Sequence, residues 1–143
     1  MRTGETLATH LADTSALARL HHDDVLARVA PMFLGGRVAT CGLLDLEVLF
    51  SAPNAQSHAE TRQERELFPR VPCGDDAVAR AIEVQGELAA QGRHRAVPIT
   101  DLVIAAAAEQ AGLIVLHYDP DFDLIAEVTG QPTEWVVPRG TVP

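Results

Sequence analysis

Asp13, Glu47, Asp101 and Asp119 are the residues around which this sequence can build chemistry. Asp13 follows a loosely alternating segment, Leu7 to Ala12, that reads as a short strand, and it runs into Thr14-Ser15-Ala16-Leu17, a helix start. Asp119 follows an apolar strand candidate, Leu113 to Leu116, after two residues, and Asp101 opens the apolar helix that leads into that strand. Functional side chains of an open parallel sheet gather just beyond the carboxyl ends of its strands, so these three carboxylates share one edge. Taken singly, each is a good helix-start residue that accepts unpaired N–H groups and suits the helix dipole. Together they repel by roughly 4 kcal/mol per close pair at an effective dielectric near 20, and the chain has no lysine to neutralise them. Divalent cations resolve that conflict, and carboxylates without His or Cys suit Mg²⁺ or Mn²⁺ over zinc.

Glu47 joins the group through its helix. On Gly42 to Ser51 it shares a face with Leu43, Leu44 and Phe50, and an ionised carboxylate in an apolar stripe must find a cation or a donor. Asp45 lies about 200° around the helix at ~100° per residue, so only one of the two acids faces a given site, and the stripe favours Glu47.

The elements that must position these acids alternate between strand and helix. Ser15 to Leu34 is helical in pattern with a break at His21-His22-Asp23-Asp24, closed by Gly35-Gly36. Arg37 to Cys41 reads as a strand, Gln56 to Glu66 as an exposed helix, Val71-Pro72-Cys73 as a short third strand and Asp75 to Gln91 as a helix ended by Gly92. Leu102 to Ala108 is apolar throughout, as a helix buried on most sides would be. Phe122 to Val128 is a further helix and Glu134 to Val137 a last strand, whose Trp135 either packs in the core or stacks on a base. Such alternation implies an α/β fold, three layers α/β/α around a central parallel sheet of four to five strands.

Residues 1–143 suit a single domain, with 47% hydrophobic residues available for a core. No uncharged run is long enough to span a membrane, and Met1-Arg2-Thr3-Gly4-Glu5 lacks the apolar stretch of a signal peptide, so a cytoplasmic location is expected. Cys41 and Cys73, far apart and outside any CxxC or Cys/His spacing, read as small buried thiols. Eleven arginines against 20 acids leave a net charge of −9, which excludes binding nucleic acid by bulk positive charge. Arg62 and Arg65, interleaved with Glu60, Glu64 and Glu66, read as an ion-paired exposed helix face.

Asp13-Thr14-Ser15-Ala16-Leu17, Leu43-Leu44-Asp45-Leu46-Glu47, Thr100-Asp101-Leu102-Val103-Ile104-Ala105-Ala106-Ala107-Ala108 and Asp119-Pro120-Asp121-Phe122 resemble, in order, the four signature stretches of PIN domains, and more closely those of VapC toxins. The resemblance runs from about Leu7 to Pro138. It implies a PIN-like fold and a Mg²⁺- or Mn²⁺-dependent endoribonuclease, usually a homodimer, with RNA as substrate and a VapB-like antitoxin as partner. Asp13, Glu47, Asp101 and Asp119 are then the catalytic acids. Asp13, Asp101 and Asp119 hold metal with Asp121 as an additional ligand, and Ser15 gives hydroxyl support.

His117 departs from the family, which often has Thr or Ser there; it either assists at a phosphate or water, or packs at the strand end. Arg93 and Arg95, in the loop before Asp101, either contact RNA phosphates or stay solvated. Two other classes compete: a catalytically silent PIN-like module, which would have lost acids, and a metal-dependent phosphatase of another α/β family. The dehalogenase-type phosphatase needs an Asp at position 15 and a lysine, and the chain has Ser15 and no lysine.

Overall fold

The computed structural model describes residues 7–143, so Met1–Glu5, where no signal peptide is expected, lies outside them. Four strands, β1 (His10–Ala12), β2 (Val38–Ala39), β3 (Ile114–His117) and β4 (Thr133–Trp135), form a sheet in the order β2-β1-β3-β4, parallel throughout. Helices α1 (Thr14–Leu17), α2 (Asp23–Leu34), α3 (Gly42–Phe50), α4 (Ala55–Glu66), α5 (Asp75–Ala90), α6 (Ile99–Ala111) and α7 (Asp121–Thr129) connect them.

Successive strand residues face opposite sides of a sheet, and the core divides accordingly. Leu11, Ala39 and Val115 pack with residues of α3, α5, α6 and α7. Their neighbours Ala12, Val38 and Leu116 pack with Ala16 of α1 and Val25 and Val29 of α2. The expected three layers result. Leu102 to Ala108 are all buried, because α6 lies between the sheet and α5 and α7. Gly112, at φ 70°, ends α6 in the left-handed conformation and turns the chain directly into β3.

Several boundaries move. The first strand starts at His10 instead of Leu7, β2 keeps only Val38 and Ala39, and β3 extends to His117. The break in the first helical segment widens to residues 18–22, where the His21 and His22 rings lie 4.1 Å apart and His22 leads into α2. The expected strand Val71-Pro72-Cys73 is not a strand; one parallel bridge, Thr40 to Arg70, stands in its place. Pro69 and Pro72 lack N–H donors, so the ladder is limited to Thr40 N to Pro69 O at 2.8 Å and Val71 N to Thr40 O at 2.9 Å.

From β1 the chain passes to β2 on one side, and β3 lies on the other. The carboxyl ends of β1 and β3 therefore border the point where strand order reverses, the place where open α/β sheets form their crevice.

Candidate active site

Asp13 leaves β1 in extended conformation and caps α1: its Oδ2 accepts from Ser15 N at 3.0 Å. Ser15 Oγ accepts from Tyr118 N at 2.9 Å, and Asp13 N donates to Leu116 O at 2.9 Å. The start of α1 is thus stitched to the end of β3. Beyond β3, Asp119 N donates to His117 Nδ1 at 3.1 Å, and Asp119 Oδ1 accepts from Asp121 N at 2.9 Å. Asp101 enters from the first turn of α6, which begins at Ile99, two residues earlier than the sequence suggested.

Asp101, Asp119 and Asp121 each present a carboxylate oxygen within 4.8 Å of the others. Three carboxylate oxygens gathered this closely could converge on one hard divalent cation. Asp13 and Glu47 line the same open cleft of about 580 Å³ with Asp101, Asp119 and Ser15. One oxygen of each, Asp13 Oδ1 and Glu47 Oε1, is buried with no hydrogen-bond partner among the described residues. Buried carboxylate oxygens without donors are costly, so the cleft lacks a positive partner that its residues do not supply.

The proton affinities report the same deficit. Burial, then the charges of Asp13, Asp119, Asp121 and Glu47, push Asp101 from 3.8 up to about 8. Burial raises Asp13, with Asp119 adding to it and hydrogen bonds from Ser15 opposing it. Glu47 is raised by burial and by Asp13, and Asp121 by burial and by Asp119. An all-oxygen set with raised proton affinity fits a hard divalent cation, which would replace the protons.

A sequence profile described as PIN domain matches residues 11–128, which takes in every one of these acids. The chain belongs to the PIN-domain family. It is 44% identical over 132 residues to Ribonuclease VapC18 of Mycobacterium tuberculosis, covering 91% of this chain and 96% of that protein. Ribonuclease VapC51 of the same organism is 44% identical over 134 residues, covering 93% and 96%. Among solved structures, VapBC-5 of Mycobacterium tuberculosis aligns with a TM-score of 0.57 at 28% identity, over 89% of this chain and 96% of that one. DNA-bound VapBC from Salmonella typhimurium aligns with a TM-score of 0.73 at 16% identity, over 92% and 100%.

Other residues singled out in the sequence lie elsewhere on this PIN domain. His117 is fully buried between Phe122 and Trp135, with ring centroids at 5.2 and 5.0 Å; its Nδ1 is occupied by Asp119 N, and burial lowers its pKa. The ring is packed at the strand end, and its Nε2 is buried with no hydrogen-bond partner among the described residues. Arg93 and Arg95 do not line the acidic cleft, and Arg93 reaches Glu127 of α7 at 3.9 Å. Trp135 is only half-buried, and its Nε1 donates to the Asp123 carboxylate at 3.1 and 3.2 Å.

Two helix-face readings need correction. Phe50 is 92% exposed, so it belongs to no stripe with Glu47, whose cleft position comes from lying at the border of the buried Leu44 face. Arg65, read as exposed, is buried. It donates to Asp45 Oδ1 at 2.9 Å and to Thr40 Oγ1 at 2.6 Å, while Arg70 NH1 donates to Asp45 Oδ2 at 2.8 Å. Asp45 points away from the cleft, as the angle predicts, but into this buried network instead of solvent. The signal was present in α4, whose lack of large apolar residues leaves a polar anchor as its means of attachment.

Proposed function

We propose that this chain is a Mg²⁺- or Mn²⁺-dependent endoribonuclease, the toxin of a VapBC-type pair, acting in the cytoplasm as a homodimer. The observation that carries the reading is the oxygen-only cleft where, among the described residues, the buried Asp13 and Glu47 oxygens lack partners beside Asp101. The ribonuclease names of relatives 44% identical over almost the whole chain support it. Among the described residues no helix is long and apolar enough to cross a membrane.

Asp101, Asp119 and Asp121 would hold a cation, with Asp13 and Glu47 completing the negative wall. When bound, the ion supplies a water of lowered pKa and offsets phosphate charge. Ser15 keeps Asp13 oriented through the Tyr118 amide, and Asp119 fixes the first turn of α7 so that Asp121 stays in reach. In this role the attacking group is water, and the 2′-hydroxyl takes no part. RNA products then carry 5′-phosphate and 3′-hydroxyl ends, and cleavage stops in EDTA and returns with Mg²⁺ or Mn²⁺. Cyclic 2′,3′-phosphate ends, or full cleavage in EDTA, would overturn this reading.

A VapB-like antitoxin as partner rests on the VapBC complexes among the structural relatives and on an exposed apolar surface of α2, where Leu26 and Leu34 face solvent. Ala18, just before it, is also exposed.

A further inference from the structure

Cys41 and Cys73 stand 32 positions apart in sequence, yet the fold sets them side by side. The bridge between Thr40 and Arg70 brings the end of β2 against the segment that leads into α5. Cys41 immediately precedes α3 and is fully buried; Cys73 is partly exposed and packs against the core cluster that contains Cys41. Cys73 Sγ lies 3.9 Å from the point that a Cβ on Gly42 would occupy, an ordinary van der Waals separation that sets the sulfur against the residue following Cys41. Each thiol is free.

We propose that Cys41 and Cys73 form a reversible oxidation site, in which a peroxide converts the two thiols into a disulfide that ties the start of α3 to the approach of α5. The different exposures set the order of events. Cys73, reached from solvent, attacks hydrogen peroxide as thiolate; an S–O bond forms, the O–O bond breaks, and hydroxide leaves and is protonated to water. The Cys41 thiol then attacks the Cys73 sulfenic sulfur. The S–S bond forms, the S–O bond breaks, and the departing hydroxide takes the Cys41 proton as a second water. Burial and the neighbouring Cys73 thiol push Cys41 up to about 11, with the Leu44 and Leu43 amides opposing them. That places the first attack on Cys73 and leaves Cys41 as the resolving thiol.

Helix α3 carries Glu47 to the cleft and Asp45 to its arginines, so the cross-link fixes the base of the element that serves both. The site is independent of what the acidic cleft hydrolyses.

The test treats the full chain with hydrogen peroxide, blocks remaining thiols by alkylation, and maps peptides without reduction. The expected result is a loss of two hydrogens per chain, a linked peptide joining Cys41 to Cys73, and a rise in Tm that dithiothreitol reverses. In Cys41→Ser the same treatment leaves a Cys73 sulfenic acid that dimedone captures; in Cys73→Ser it leaves Cys41 reduced. Two thiols still open to alkylation after peroxide, sulfinic acid at Cys73 without a linked peptide, or linkage only between chains would each overturn the proposal. The peptide map of the wild-type chain decides among these outcomes, so the test holds even where a serine variant fails to fold.

Discussion

Asp101 concentrates the electrostatic problem of the cleft in one side chain. Its carboxyl moves from 3.8 to about 8, through burial first and four neighbouring acids next. The sign for stability follows. Below about pH 4 both folded and unfolded chains hold the proton; between there and about pH 8 only the folded chain does, so stability falls as pH rises through that window. Asp13, Glu47 and Asp121 are raised too and act in the same direction. In EDTA, Tm should therefore decline from about pH 5 to about pH 8. Asp101→Asn should flatten the decline and raise Tm near pH 8 while lowering RNA cleavage roughly 10²-fold or more, as loss of a preorganised charged group does. Mn²⁺ competes with protons for these oxygens, so its lift in Tm should grow toward pH 8. Differential scanning fluorimetry across that range measures the Tm effects, and a Tm in EDTA that is flat or rises with pH contradicts the assignment.

At the scale of elements, α3 separates two acids two residues apart into different tasks. Glu47 borders the cleft, whereas Asp45 joins β2, α3 and α4 through Thr40 and Arg65. Removing one partner of a buried ion pair leaves the other uncompensated, which costs about 3–5 kcal/mol. Arg65 is as buried as Asp45, while Arg70, nearly half exposed, contributes less. Asp45→Ala should accordingly lower the urea midpoint while cleavage per folded molecule persists, and Glu47→Gln should do the reverse. Equal loss of cleavage from the two at unchanged midpoints would show that α3 is oriented differently. The same helix shows what a single sequence conceals. Local periodicity and capping located every helix to within a few residues, and strand-to-helix order placed Asp13, Asp101 and Asp119 on one edge. Strands of two to four residues have too short a period to mark their ends, hence the shifts in β1, β2 and β3. Burial of Arg65 and proximity of Cys41 to Cys73 depend on the Thr40 to Arg70 bridge, a tertiary contact that no local pattern encodes.

For the molecule as a whole, the net charge of −9 and the acidic cleft select the kind of partner that can silence it. An arginine inserted among Asp101, Asp119 and Asp121 would form bidentate hydrogen bonds and occupy the space a cation needs, offsetting part of their charge. An apolar segment continuous with it would cover Leu26 and Leu34 of α2, which the isolated chain leaves in water. Inhibition built this way has two separable signatures. Raising Mn²⁺ should weaken inhibition because ion and arginine compete for the same oxygens, whereas raising salt should slow association by screening long-range attraction. The partner is expected from a small neighbouring open reading frame: expression of this chain alone arrests growth, co-expression restores it, and the two purify as a complex whose RNA cleavage appears when the partner is removed. Changing the partner's arginine to glutamine should release cleavage while the complex persists through the α2 contact. A chain that is harmless alone, cleaves RNA freely beside the product of its neighbouring reading frame and captures no small protein would contradict the toxin role, while leaving the metal-dependent cleavage to be judged by its own product ends.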